Sequence, residues 1–362
     1  MPDSDIVFYN LGLAYFQASE FVEAVAAFEK AVELNDTDGD YWLNLALAHK
    51  QLKQFVKAIQ AYKQALTLRP EDIDIWYSLG CCCKDCGVPE EAEKVFRYLL
   101  EQDGKHISAL NNLAYIVHLQ GKLDEAEELY GRVLLLAPDH SAATFMLQVL
   151  RGEKPETPPT DYIRDLFDHY SDTFDNHLLG QLEYKVPMLM RTLFDQIPPD
   201  ENKYQNVIDL GCGTGLCGEL FRDHAAHLTG IDLSSGMVDI SHGKNIYDAL
   251  ETVDIISYLA DGKKNYDLFL ASDVFSYIGD LEPMFKAISD NSCPQALVGF
   301  SVEFTGESGW QVRSSGRFAH SYNYITTVAA QFGLSLIVHE RAEIRKEREK
   351  WISGSIYFFQ KE

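Results

Sequence analysis

Long apolar stretches are missing from this chain of 362 residues. No segment offers the ~18 consecutive apolar residues that a membrane-spanning helix requires. The first residues, with Asp3 and Asp5, also lack the basic and apolar run of a secretory leader. The expectation is a cytoplasmic protein with no membrane partner. Positive charge is scarce too: 31 Lys and Arg stand against 55 Asp and Glu, a formal charge of −24. Such a balance repels a phosphate backbone unless a local basic patch intervenes. The one candidate patch, 341–350, alternates in sign and reads as a solvated strand or loop. Nucleic acid is therefore not an expected partner. Prolines number only 12, and three of them share the polar stretch 151–160, which has no apolar period. That stretch reads as a linker, and the chain is long enough for a separate core on each side of it. Among 7 cysteines, Cys81, Cys82, Cys83 and Cys86 crowd one helical segment. Successive helical positions point in different directions and cannot close a tetrahedral site. Reduced core thiols and no metal are the reading.

What fills the first part of the chain is a period of 34 residues. Gly12, Ala46, Gly80 and Ala114 recur at that interval, as do Ala24, Ala58, Ala92 and Ala126. Large residues keep the same step: Phe8, Trp42, Trp76 and Leu110, then Phe28, Tyr62, Phe96 and Tyr130. Small residues let the two helices of a hairpin approach, and large ones fill the space between hairpins. Pro70 and Pro138 fall where a unit ends, since proline cannot donate within a continuing helix. The period and pattern resemble the tetratricopeptide repeat (TPR), with copies at 5–38, 39–72, 73–106 and 107–140 and a capping helix at 141–150. The resemblance implies an all-α solenoid over 1–150 whose extended groove recruits a protein or peptide partner. A purely structural or dimerising module is the alternative.

Beyond the linker, apolar strands alternate with helical patterns. Strands are expected at 206–210, 228–232, 254–259, 266–272 and 295–303, with an antiparallel pair at 340–344 and 352–359 and helices within 162–194 ahead of the first strand. The alternation over 161–362 implies an α/β, Rossmann-like parallel sheet with helices on both faces and a ligand crevice at the carboxyl ends of its strands. The first strand runs into Gly211, Gly213 and Gly215, a turn that lets backbone N–H groups approach a ligand closely. Two cofactors fit that turn. Gly213, Gly215 and Gly218 match the dinucleotide pattern, with Asp232 about 20 residues on. Read from Asp209, the ordered set of Asp209, the three glycines, Asp232 and the segment Leu259-Ala260-Asp261 resembles class I S-adenosylmethionine (SAM)-dependent methyltransferases. Three matches in order outweigh one.

That resemblance implies a role for each matching residue. Asp209, Gly211, Cys212, Gly213 and Gly215 would line the methionine and ribose side, Asp232 with Leu233 would meet the ribose hydroxyls, and Asp261 with the Ala260 backbone would meet the adenine amine. Met237 would cover the adenine face, or simply pack its own helix. Asp261 is otherwise a turn residue before Gly262. The aromatic segment 162–177 would close over the cofactor with Tyr170 as its contact, or Phe167, Tyr170 and Phe174 pack on the sheet. Asp273 joins the cofactor set after the fourth strand. Tyr277, beside it, would point its hydroxyl at the transferred methyl or the acceptor, or is a core tyrosine. A polar insertion at 306–324 supplies Arg313, Arg317, His320 and Tyr324, a mixture suited to an anionic or peptide acceptor. His320 is the proton acceptor among them near neutral pH, unless it is a structural histidine bonded to a backbone carbonyl.

The segments 167–177, 209–217, 271–280 and 314–321, taken together, are similar to the bacterial TPR-repeat methyltransferase family, which joins these two modules in this order. The resemblance implies fold and cofactor and leaves the acceptor open. An Asn-Pro-Pro-aromatic tetrad, the mark of enzymes acting on base amino groups, is lacking. Methyl transfer from a sulfonium is an in-line displacement, so alignment and exclusion of water are the main tasks and a dedicated base is optional. The function expected is methyl transfer from SAM with the repeats recruiting a protein substrate or partner. A small-molecule methyltransferase with scaffolding repeats and a catalytically silent adaptor are the alternatives.

Overall fold

The computed structural model describes residues 4–171, 174–198, 204–261, 265–347 and 350–362, with side chains at all of these except 169, 170, 176, 177 and 181. Packing divides the chain into two units, Met1–Leu147 and Gln148–Glu362. No helix among the described residues is long and apolar enough to cross a membrane.

The first unit is four helical hairpins: α1 (Asp5–Gln17) with α2 (Phe21–Leu34), α3 (Gly39–Gln51) with α4 (Phe55–Leu68), α5 (Ile73–Asp85) with α6 (Pro89–Gln102), and α7 (Ile107–Leu119) with α8 (Leu123–Leu136). α9 (Ser141–Leu150) follows. The small positions face the large ones, as the period requires. A Cβ on Gly12 would stand 2.5 Å from the Phe28 ring, and one on Gly80 would stand 2.7 Å from Phe96. Phe28, Tyr62, Phe96 and Tyr130 are all buried. Cys82 and Cys83 lie in the same core, where burial pushes their thiols up to about 12 and about 11. They pack as protonated apolar groups.

Two further features keep the same period. Asp38, Asp72, His106 and His140 each accept an N–H from the first turn of the helix that follows, which caps α3, α5, α7 and α9. The joints within the hairpins turn on Ser19 (φ 61°), Lys53 (φ 56°), Gly87 (φ 75°) and Gly121 (φ 81°). On the part-buried face of the first helices, side chains link one repeat to the next. Asn44 donates to the Tyr9 hydroxyl (3.0 Å), while Asn112 donates to Tyr77 (3.3 Å) and accepts from Lys84 (3.1 Å).

The second unit opens with α10 (Thr160–Tyr170) and α11 (Val186–Phe194). A nine-stranded sheet follows, with β1 (Tyr204–Leu210), α12 (Leu216–Phe221), β2 (Ala225–Asp232), α13 (Ser235–Gly243), β3 (Ala249–Thr252), α14 (Ile255–Ala260), β4 (Tyr266–Ala271) and α15 (Glu282–Asp290). It continues through β5 (Ser292–Phe304), β6 (Trp310–Val312), β7 (Phe318–His320), α16 (Tyr322–Gln331), β8 (Leu334–Glu347) and β9 (Lys350–Lys361). The order is β3-β2-β1-β4-β5-β7-β6, with β9 antiparallel on β5 and β8 antiparallel on β9. Apolar side chains from its two faces make two cores. Phe269, Phe285, Phe300 and Phe359 mark one, and Val207, Phe221, Leu268 and Phe358 the other. The order reverses between β1 and β4, so the glycine turn leaves β1 at the crevice of such a sheet.

Three local expectations are corrected, and the insertion at 306–324 is given its secondary structure. Residues 254–259 form α14 and not a strand, because Asp254 accepts the Ser257 N–H (2.9 Å) and starts a helix whose Tyr258 and Leu259 face the core. The third strand, β3, comes earlier. The insertion at 306–324 is not loop throughout: β6 and β7 form a hairpin, and β7 pairs with the end of β5. The charge run at 341–350 is solvated only in part. A register shift between Glu343 and Arg345 turns two successive side chains inward, Ile344 at 0% and Arg345 at 3% exposure. Finally, the stretch 151–160 is docked towards its end, with Pro158 buried and the Glu156 carbonyl accepting the Gly279 N–H (2.8 Å).

The repeated joint generates the first prediction. A left-handed conformation costs a non-glycine residue ~1–2 kcal/mol, part of which glycine returns as chain entropy. Lys53→Gly is expected to stabilise the α3–α4 hairpin by ~0.5–1 kcal/mol, and Gly121→Ala to destabilise α7–α8 by about 1 kcal/mol. Hydrogen-exchange protection of the two hairpins measures both, and the signs must be opposite.

Candidate active site at the carboxyl edge of the sheet

β1 ends at Leu210 and the chain turns through Gly211 (φ 65°), Gly213 (φ 54°) and Gly215 (φ 89°). A Cβ on Gly211 would stand 2.5 Å from Val274, whereas one on Gly213 meets nothing within 4 Å. Gly211 is thus required by a neighbour, and Gly213 by its backbone angle alone, with open space above it. The Cys212 N–H donates to the Ile231 carbonyl (2.9 Å) and pins the turn to β2. Asp232, the last residue of β2, accepts the Gly213 N–H on Oδ2 and the Ser234 N–H on Oδ1, both at 2.9 Å. Burial pushes its carboxyl above the ordinary value while those backbone donors oppose the shift. Each oxygen keeps a lone pair for a further donor. Leu233 lies half-buried between Asp232 and Ser234.

Asp209 is fully buried below the turn. The Tyr247 hydroxyl donates to its Oδ2 (2.7 Å), and Oδ1 has no partner. Two glycines make that contact possible: a Cβ on Gly218 would overlap the Tyr247 hydroxyl, and one on Gly230 would stand 2.8 Å from its ring. Gly218, the third glycine of the dinucleotide pattern, therefore makes room for a phenol. Burial raises the Asp209 carboxyl to about 7, opposed by the Tyr247 hydrogen bond and reinforced by the charge on Asp232. A buried oxygen without a partner beside a glycine turn fits a ligand that brings its own cationic donor.

The segment ahead of the sheet is tied to this edge at two points. Asp168 of α10 accepts from the Ser234 hydroxyl (2.6 Å) and the Gly236 N–H (3.2 Å) at the start of α13. Asp175 pairs with the Thr214 hydroxyl in the glycine turn and with Lys244 Nζ (3.2 Å). Phe167 packs edge-on against Phe174 and Tyr277, with centroids 6.1 and 5.2 Å apart. Phe167 and Phe174 therefore pack at this edge, as the packing reading has it. The Tyr170 side chain lies outside the described residues. Met237 is buried within α13, as helix packing requires. Asp168, Asp175, Thr214 and Ser234 were not singled out from the sequence, because their partners lie far along the chain.

The third acid moves. The Val253 N–H donates to the Asp232 carbonyl (2.8 Å), which sets Asp254, at the start of α14, beside the edge that carries Asp232. Ala260 and Asp261 are exposed at the far end of that helix, Asp261 being its C-cap. The strand that was to deliver Asp261 to the crevice does not exist, so the positional argument for Ala260 and Asp261 fails.

After β4, Asp273 takes a left-handed conformation (φ 62°) and donates its N–H to Ser301 Oγ (2.8 Å). Its two oxygens each accept from Arg317 Nη2 at 2.7 Å, and Oδ1 also accepts from Arg345 Nη1 (3.3 Å). Burial opposes ionisation, yet the two guanidiniums hold this carboxyl below its ordinary value. Glu303 of β5, more deeply buried than Asp273, accepts from Arg317 Nε (2.8 Å) and from Arg345 Nη2, and it too is held low against burial. Arg317 also donates to Ser276 Oγ (2.8 Å) and to the Tyr277 hydroxyl. The consequence is a correction for most of the acceptor-side residues. Arg317 is consumed by internal partners and is not free for an anion. Tyr324 donates to Asp280 and accepts the Leu281 N–H, both at 2.8 Å, so its hydroxyl is spent on the fold. His320 is fully buried with Nε2 at 2.9 Å from the Gly279 carbonyl, and burial pushes it down to about 4. It is uncharged at neutral pH and is the structural histidine, not a general base. Arg313 stays half-exposed, with Nε 2.8 Å from Glu303 and Nη2 donating to the Phe304 carbonyl (2.9 Å).

Asp209 gives a testable pH dependence. An acid whose folded value is about 7, against an ordinary 3.8, holds its proton more tightly when folded. Stability is therefore full below the ordinary value and is lost as pH rises through 7. Asp209→Asn removes this loss. The variant is expected to gain ~2–3 kcal/mol on the unsubstituted chain between pH 5 and pH 8, read from denaturation at the two pH values.

Comparison with known proteins agrees with the two units. Residues 181–328 match the model of a methyltransferase domain, and 9–73 and 87–148 match tetratricopeptide repeat models. No curated protein matches the chain. Among solved structures, a SAM-dependent methyltransferase from Methanosarcina mazei is 16% identical over 44% of this chain and 93% of its own, with a TM-score of 0.38. The magnesium protoporphyrin IX methyltransferase from Synechocystis PCC 6803, solved with bound SAM, is 18% identical over 56% and 97%, with a TM-score of 0.41. MamA is 21% identical over 38% and 80%, with a TM-score of 0.37. The chain thus carries a methyltransferase domain over residues 181–328, preceded by tetratricopeptide repeats.

Proposed function

We propose that SAM is held by Asp209, the Gly211–Gly215 turn, Asp232 and Asp254, and that the methyl acceptor is a protein brought by the repeats. The cofactor supplies a methyl group on a positively charged sulfur, already activated for displacement. Asp232, fixed by two backbone N–H groups, has the spare acceptor sites for two ribose hydroxyls. Asp209 Oδ1, buried and without a partner, is the acceptor for a cationic donor on the methionine side. Asp254 replaces Asp261 as the acid at the adenine side. The segment tied down through Asp168 and Asp175 covers the edge and keeps water from it.

The observation that carries the protein-acceptor reading is the saturation of the acceptor side. Arg317 and Tyr324 spend their polar atoms on Asp273, Glu303 and Asp280, and His320, fully buried, spends Nε2 on the Gly279 carbonyl. What remains there is the Tyr277 hydroxyl proton and the half-exposed Arg313, a sparse set for telling one small polar acceptor from another, so selection falls largely to another surface. TPR arrays generally bind proteins, and the Tyr9–Asn44 and Tyr77–Asn112–Lys84 links place polar side chains on the first helices of this one.

Calorimetry with SAM tests the cofactor site. Asp232→Ala is expected to weaken binding by ~100-fold or more, since two hydroxyls lose partners at ~1–3 kcal/mol each. Asp254→Ala should cost roughly tenfold and Asp261→Ala less than about twofold. Equal losses at Asp254 and Asp261 would return the adenine role to the later acid. For the acceptor, labelled methyl groups are followed from SAM into size-fractionated extract, comparing the chain with its Asn44→Ala, Asn112→Ala variant. Protein labelling should drop with SAM affinity unchanged; label confined to small molecules, at equal rates, would defeat recruitment.

A further inference from the structure

Resting on the reading of this edge as the methyl-transfer site, we infer that Tyr277 donates a hydrogen bond to the acceptor and that the buried ion network behind it, through Arg345 and Glu303, positions its phenol. Tyr277 ends the short helical turn Phe275–Tyr277 that follows β4 at the carboxyl edge. Three contacts fix its ring and oxygen. Phe167 packs edge-on against it at 5.2 Å, the Arg317 guanidinium stacks 4.5 Å from its centroid, and Arg317 Nη1 donates to its hydroxyl. With a guanidinium on the oxygen, what the phenol has left to offer is its proton. Among the described residues nothing accepts it. Tyr277 is therefore a donor and not a base, and the group it meets carries a lone pair, such as a carbonyl or carboxylate oxygen next to the methylated atom.

Arg317 holds this place because its remaining donors are all engaged, Nε on Glu303 and Nη2 on Asp273 and Ser276. Those two carboxylates are themselves bridged by Arg345, which reaches both from the register shift in β8. Asp273, Glu303, Arg317 and Arg345 thus form one cluster, Glu303 and Arg345 buried and the other two partly so, with Arg313 on Glu303 at its outer side and Asp273 in a strained backbone conformation. Stapling the ends of β4, β5, β7 and β8 does not need such a cluster. Apolar side chains of similar volume do that at least as well, because desolvating charges is costly. What the charges add is a fixed direction and potential at one phenol. Arg345 and Glu303 are positioning residues in this account, since neither meets the acceptor.

The test places 3-fluorotyrosine at position 277 of the full chain and follows its ionisation by fluorine resonance. Arg345→Gln, which removes a cation, should move the midpoint up, and Glu303→Gln, which removes an anion, should move it down, each by at least ~0.5 pH units. A merely structural network would leave the midpoint alone or move it the same way in both variants, and either result overturns the inference. If a charge variant fails to fold, the otherwise unsubstituted fluorinated chain still decides. Its alkaline loss of methyl transfer into extract protein should begin at lower pH than with tyrosine, and an unshifted limb would refute donation by Tyr277. Tyr277→Phe should lower transfer at least tenfold with SAM affinity within twofold. Unaltered transfer with SAM bound sinks this inference alone, whereas absence of SAM binding by the unsubstituted chain would sink the reading of the site on which it rests.

Discussion

The Asp232 carboxylate receives the Gly213 amide on one oxygen and the Ser234 amide on the other, and so fixes the gap between the end of β1 and the start of α13. The rest of the edge is hung from that spacing. With the turn held, Thr214 is presented to Asp175, and with α13 held, Ser234 and Gly236 are presented to Asp168. The segment that precedes the sheet thereby closes over it. The glycines follow from the same constraint, because a turn drawn this close to β2 passes through left-handed angles at Gly211, Gly213 and Gly215.

Stability is conceded at two places on this edge. Asp209 is buried with one oxygen unpaired, and Asp273, partly buried, and Glu303, buried, are held as ions. They differ in how the charge is met. Arg317 and Arg345 compensate the second pair inside the fold. Asp209 meets the Tyr247 hydroxyl on one oxygen and, among the described residues, no cation, and burial raises its carboxyl to about 7. Where compensation is internal, the group holds geometry. Where it is left to a ligand, the group holds binding energy in reserve, and the free protein is less stable for it.

What could be read from the sequence was what neighbouring residues decide. The repeat period survives because Gly12 needs only Phe28, and Gly80 only Phe96, within one hairpin. The glycine turn survives because a backbone angle is a local demand. The third strand was misplaced because Val253, Ile255 and Ile256 have strand-like composition, while the decisive signal was one side chain, Asp254, capping Ser257. Arg345 was illegible since a single extra residue in β8 reverses which side faces inward. Arg317 and Tyr324 looked free because their acid partners, Asp273 and Asp280, lie 44 residues away in the chain. Polar insertions invite functional readings, yet this one had a sheet edge to complete and its own charges to satisfy.

The formal charge of −24 acquires meaning once the arginines are accounted for. Arg317 and Arg345 are offset by Asp273 and Glu303, and Arg313, which shares Glu303, leaves that cluster one positive charge in excess. The long-range field of the chain is still that of its unpaired carboxylates. A field of this sign steers cationic surfaces towards the protein and repels anionic ones, and it acts on encounter rates more than on the final contact.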